Sequence, residues 1–308
     1  MDLSEDAIRS IVAHIAHLRA EYGEVLEDPD LVEPTGEFFP DDFSMDPEGV
    51  GALLERVMSY APLSEGLPVE LGFFEPEEGG GGGGCGTGAC SPGETKQVAR
   101  GSALETPDGY AAIVAVADVG EPALLTASLS RSVGRMVLFE ADEDVDPRDE
   151  GALSELTAAA CGLGLLLMNG ASVYKKGCGG MRQHQGTFLS VTELALATAI
   201  FVRLHDKKPR SVRKHLAPTQ SEAFDAALSW VDGQPKLMQA LREAPETLED
   251  GVFELGAPQG VLARLLAKKD ADRDPLDVAG TVRRPTPRSD AEEARLAEAR
   301  RLVEDALG

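Results

Sequence analysis

The sequence predicts an α+β protein, mostly helical, with a small β-sheet. Three observations predict it. Apolar residues recur at helical spacing over long stretches, as at Ile8, Ile11, Ile15 and Leu18. Two short runs, 67–74 and 110–117, have the apolar character and flanking turn residues of strands. A third stretch, 153–169, is apolar nearly all round, which places a helix at the centre of the fold rather than on its surface. The 308 residues suffice for one large or two ordinary domains, and a hydrophobic content of 43% can build a packed core.

Each element has a local reason. Ser4 can cap a helix over 3–22, with its apolar stripe inward. His14 and His17 lie on that helix; His14 flanks the stripe and His17 faces the wet side, so neither reads as a metal ligand. Residues 27–45 are rich in Pro and Asp and carry Phe38, Phe39 and Phe43, which predicts an ordered loop pinned by aromatics. Asp46-Pro47-Glu48 supplies a cap, a first-turn proline and a first-turn acid for a helix to about residue 60. After the strand at 67–74 comes a Gly-rich loop, 77–93, with six consecutive glycines. The strand at 110–117 leads to a helix over 121–138, an acidic loop over 140–150, and the apolar helix. Ser190 and Glu193 form the capping-box pattern for a helix over 190–205, and another follows over 216–231. The expected division is a main domain, 1–265, a Pro-rich charged linker, 266–288, and a C-terminal helix, 289–308.

Charge restricts function. With 53 acidic and 29 basic residues the formal net charge is −24, which repels nucleic acid and anionic membrane. The acidic N-terminus lacks the features of a signal peptide, and no uncharged apolar run reaches membrane-spanning length, so a cytoplasmic location is expected. One region reverses the charge. Residues 171–216 hold nine Lys or Arg against two acids, and Arg203, Lys207, Lys208, Arg210, Arg213 and Lys214 form a candidate anion or partner patch. Helix-end decoration, favoured by the macrodipole, accounts for the same residues.

The order of weak motifs along 30–230 carries a resemblance. They are Glu37-Phe38-Phe39-Pro40-Asp41, Leu125-Thr126-Ala127-Ser128-Leu129, Glu155-Leu156-Thr157, Cys161-Gly162-Leu163-Gly164, Asn169-Gly170 and the run from Leu189 to Ala197. Together they resemble an uncharacterised bacterial family with a gluzincin-like metallopeptidase core. That resemblance implies a zincin-like fold with H-E-x-x-H on the 121–138 helix. It lays the first metal His on Arg131, the general-base Glu on Ser132, the second His on Arg135 and an acidic third ligand on Ala158. Zinc needs neutral imidazole, thiolate or carboxylate lone pairs, and arginine has none to give. The resemblance therefore implies a degenerate site: a pseudoenzyme that binds a protein or peptide, with Arg131 and Arg135 in the old cleft, paired with Glu155 or Glu140 and open to an anion. Taken without the resemblance, 124–138 is an amphipathic helix with Leu125, Leu129, Val133 and Met136 inward and the two arginines solvated.

Other constellations point elsewhere. Cys85-x4-Cys90 with Cys178 and His184 offers four soft ligands on Gly-rich loops, which suits zinc or a redox pair, although the spacing matches no standard finger. Cys161 lies in the apolar helix and reads as core. The glycine run lacks the G-K-[ST] ending of a phosphate loop. Ser132 has no G-x-S-x-G elbow, and His184, His205 or His215 could approach it only through the fold. A hydrolase with ligands elsewhere in the chain is the remaining alternative. No cofactor is expected, with zinc at the cysteine loops as the exception.

Overall fold

The computed structural model describes residues 3–64, 66–75, 102–177 and 180–256, with side chains of 174–183 left aside. The helices are α1 (Glu5–Tyr22), α2 (Pro47–Met58), α3 (Val116–Val119), α4 (Pro122–Glu140), α5 (Glu150–Ala158), α6 (Gly164–Gly170), α7 (Val191–Leu204), α8 (Pro209–Arg213), α9 (Pro218–Asp232) and α10 (Pro235–Glu243). The strands are β1 (Val69–Phe74), β2 (Ser102–Thr106), β3 (Gly109–Ala115), β4 (Val173–Gly177) and β5 (Gly180–His184). The architecture is α+β and mostly helical, with a small mixed sheet. The first compact unit is Met1–Gly256. The domain end expected at 265, the linker 266–288, the helix 289–308 and the loop 77–93 lie outside the described residues.

The expected caps form. Ser4 Oγ accepts from Ala7 N, and Asp46 Oδ1 accepts from Gly49 N at 2.8 Å. Ser190 and Glu193 make the reciprocal capping box on α7. The aromatic loop is pinned as expected at one end: Phe38 and Phe39 stand edge-on to Tyr60, whose hydroxyl donates to Phe38 O. Phe43 instead points towards solvent.

The sheet has the order β1-β3-β2, with β1 parallel and β2 antiparallel to β3. Ala103, Ala112 and Val114 are buried, and β2 and β3 pack against α4. On its other sides α4 meets α5 and α6, so it is buried almost all round. Close approach requires a missing side chain where helices cross. A Cβ on Gly134 of α4 would stand 2.0 Å from Ser154 O and 3.0 Å from the Ala158 Cβ.

The 153–169 stretch departs from the expected single helix. A π turn, Ala159–Leu163, separates α5 from α6, and Gly162 within it has φ of +90°. Glycine tolerates that left-handed conformation, which a Cβ disfavours. The turn also frees the Gly162 carbonyl to accept Val32 N at 3.1 Å, which docks the 27–45 loop. The whole stretch, Glu150–Gly170, is apolar enough to cross a membrane by composition, but it is largely buried in the protein's own core. Strand β2, the β4–β5 hairpin and α10 were not anticipated. The end of the expected strand at 110–117 turns into α3 instead.

Two glycine substitutions should have opposite signs. Gly134→Ala forces α4 and α5 apart and should cost about 1–3 kcal/mol in chemical denaturation, as overpacking does. Gly51→Ala lies inside α2 with nothing within 4 Å of the new Cβ, and should stabilise by about 0.5–1 kcal/mol.

Candidate functional site

The arginine expected at the first metal position does not face water. Arg131 is 2% exposed, so the reading of two solvated arginines on α4 is corrected. Its Nε donates to Glu155 Oε1 at 2.8 Å and its Nη2 donates to Gly186 O at 2.6 Å. The guanidinium also lies 5.1 Å from the centre of the Phe188 ring. Of the two carboxylates anticipated as partners, Glu155 is the one engaged. Glu140 instead accepts from Ser64 and Tyr110 hydroxyls, at 2.7 and 2.8 Å.

Glu155 is fully buried on α5 and is enclosed by donors. Besides Arg131, it accepts Phe188 N at 2.9 Å on Oε1 and Leu189 N at 2.8 Å on Oε2. Burial pushes its carboxyl pKa up, against the pull of the Arg131 charge and the two backbone N–H groups. The pair thus joins three segments: α4, α5 and the 186–189 turn that leads into α7.

The other positions that the resemblance picks out have distinct surroundings. Arg135 Nε lies 3.2 Å from Glu150 Oε1, and its guanidinium sits 3.9 Å from the Phe139 ring centre. Its buried Nε and Nη1 make no well-aligned hydrogen bond among the described residues. Ser132 is fully buried, and its Oγ has no hydrogen-bond partner there. Ala158 packs at the Gly134 crossing. This donor set does not fit zinc. Two guanidiniums repel a dication, and the carboxylate beside them is already occupied by three donors.

All five histidines of the chain are placed, and Ser132 is hydrogen-bonded to none of them. His14 Nε2 meets Thr157 Oγ1 at 3.0 Å, and His17 lies between Glu143 and Glu249. His17 is therefore engaged and half-buried rather than simply wet. His184 pairs with Val173 at the end of the β4–β5 ladder. His205 packs on Phe201 with ring centres 4.7 Å apart, and His215 contacts Glu33 at 3.0 Å. Cys85, Cys90 and Cys178 lie outside the described residues, so of that ligand set only His184 is described.

The basic patch is largely paired within the fold. Arg203 forks onto Asp232 at 2.7 and 2.8 Å, Lys207 reaches Asp28 at 2.9 Å, and Arg213 reaches Asp225 at 2.5 Å. Lys214 and His215 share Glu33. Burial alone would raise the Glu33 pKa, but hydrogen bonds from Lys214, His215 and Ser211 hold it below the usual carboxylate range. Lys208 and Arg210 sit at the start of α8.

An open groove of about 470 Å³ runs between 24–29 and 59–62, with Glu24, Glu27, Asp28 and Tyr60 on its walls. Cys161 lies beneath it, as the core residue expected, and burial pushes its thiol up to about 12. A thiol so held is inert at neutral pH.

Comparison with family models, curated proteins and solved structures returns no match for this chain.

Breaking the central pair should be severe. Arg131→Met leaves Glu155 buried with its charge uncompensated and should cost about 3–5 kcal/mol in urea unfolding. Adding Glu155→Gln removes that stranded charge and should recover part of the loss. The histidines predict acid sensitivity. Burial, then the positive neighbour His17, lowers the His14 pKa to about 4; burial, then Arg19, lowers His205 to about 4. Both are neutral in the fold. Their stabilising contribution is complete above the unfolded value of 6.5 and is lost as pH falls towards 4. Melting temperature should drop across that interval, and His14→Gln should flatten part of the slope.

Proposed function

We propose that this chain is a non-catalytic binding scaffold, a relative of zinc peptidases in which an internal cation replaces the metal. Its partner on this reading is a protein or peptide. The observation that carries the reading is the 2.8 Å contact between Arg131 and Glu155 at the buried junction of α4 and α5. A guanidinium there neutralises the carboxylate, as a metal ion would, and it donates hydrogen bonds in a fixed plane. It cannot polarise a carbonyl as a Lewis acid or lower the pKa of a bound water as zinc does. The charge serves the fold, because Gly186 and Phe188 cover Arg131 and leave it 2% exposed. Binding then falls to the outer surface, whose chain-wide charge is −24 and favours partners with basic character.

Zinc titration with elemental analysis tests the scaffold reading. The wild type should take up no zinc at the α4–α5 junction, so Glu155→Gln should leave its metal content unchanged. Arg131→His/Ser132→Glu/Arg135→His, which keeps Glu155 as the native carboxylate, should acquire about one zinc per chain if the helix retains the ancestral frame. Zinc bound by the wild type and lost in Glu155→Gln would overturn the reading. Zinc lost instead in Cys85→Ala/Cys90→Ala would assign the metal to the Gly-rich loop.

A further inference from the structure

Both ring nitrogens of His17, on α1, meet carboxylates. Nε2 is 2.8 Å from Glu143 Oε1, in the turn after α4. Nδ1 is 3.1 Å from Glu249 Oε2, directly after the 3₁₀ turn Pro245–Leu248. Ionised carboxylates only accept hydrogen bonds. A neutral imidazole has one N–H and must turn a bare lone pair towards one of the two acids; an imidazolium has two N–H groups and satisfies both. The geometry is therefore that of a charged ring.

Glu249 belongs to a strap, 245–256, that lies along α1. Leu248 is buried, and Phe253 and Leu255 pack against the core. Arg9 donates to Gly251 O at 2.8 Å and to Phe253 O at 2.6 Å, and its guanidinium lies 5.1 Å from the Phe253 ring centre. Gln234 bonds Gly256 through both its amide oxygen and its amide nitrogen. Arginine keeps its proton throughout the neutral range, so these other ties do not titrate there. The contact at Glu249 does.

We infer that His17 is a pH-operated clasp, which as an imidazolium pins the 245–256 strap to α1 and which lets the Glu249 end go when it loses its proton.

The surrounding groups set the direction. Burial lowers the His17 pKa, but hydrogen bonds and charge from Glu143 and Glu249 outweigh it and leave the ring above its usual 6.5. Glu143 is pushed up by burial, yet Tyr22 and His17 hold it below the usual carboxylate range, so it stays ionised. Tyr22 donates to Glu143 Oε1 at 2.7 Å. Burial and Glu143, with Glu21 and Asp142 nearby, push that phenol up to about 12 and keep it protonated. His14, one turn back, is lowered to about 4 and adds no charge above that pH. A ring whose pKa is raised in the fold lends stability that is complete below 6.5 and lost as pH climbs through the raised value. The clasp closes in mild acid and opens in alkali, opposite in sign to His14 and His205.

Hydrogen exchange of the full chain, corrected for intrinsic rates, tests the clasp between about pH 6 and about pH 8.5. Opening of peptides within 245–256 should rise with pH, by up to about tenfold for each unit by which the ring's pKa in the clasp exceeds its released value. His17→Gln has no charge to lose and should leave the strap open and insensitive to pH. His17→Arg should keep it closed throughout. An NMR titration of the wild-type ring nitrogens needs no variant, and should place the His17 midpoint above 6.5 with both nitrogens protonated below it. A midpoint at or below 6.5, strap protection that is flat in the wild type, or pH-dependent opening that survives in His17→Gln would each overturn the proposal.

Discussion

A charged pair with almost no access to water sits where α4, α5 and the approach to α7 converge, and much of the architecture depends on it. Moving a carboxylate and a guanidinium out of water costs several kcal/mol per ion, and mutual attraction offsets that only when the remaining polar atoms are satisfied. Here Glu155 receives Arg131 and two backbone N–H groups, and Arg131 also reaches Gly186 O. The consequence is positional. The Glu155 carboxylate fixes Phe188 and Leu189, and the next residue is Ser190, the cap of α7. One side chain thereby sets where a helix begins two helices downstream.

That centre demands close approach, and small residues allow it. The Gly134 crossing brings α4 against Ser154 and Ala158, and a Cβ on Gly170 would stand 2.3 Å from the Ala127 Cβ. Dense packing of this kind leaves few rearrangements to a buried polar group. The π turn at Ala159–Leu163 belongs to the same geometry. It breaks an otherwise continuous helix, and its Gly162 carbonyl receives Val32 from the 27–45 loop. Helical regularity is lost over one turn and a loop is docked in return.

Charge is handled differently inside and outside. At the centre a single pair is sequestered and saturated. On the surface, the basic residues of 203–214 reach across to acids of other segments, at Asp28, Glu33, Asp225 and Asp232. Exposed pairs of this type contribute little stability each, but they consume positive charge that would otherwise attract an anion. The half-buried histidines fall between these extremes. His14 is surrounded by too little compensation to ionise, whereas His17 has two carboxylates on one ring.

The sequence by itself determined the fold class, five of the longer helices and the caps of three of them, because periodicity, Ser4, Asp46 and the Ser190–Glu193 box act within a few residues of one another. It missed β2, whose five residues acquire a strand's identity only by pairing with β3. It missed the break at Gly162, because a glycine in an apolar run gives no sign that a loop carbonyl 132 places before it would demand space there; the constraint is the Asp30 oxygen, 1.9 Å from where a Cβ would stand. Whether Arg131 faced water or carboxylate, and whether His17 met one acid or two, was decided by the tertiary structure. Glu155, Glu143 and Glu249 lie 24, 126 and 232 residues from the groups they contact, and no local pattern reports a distance across the fold.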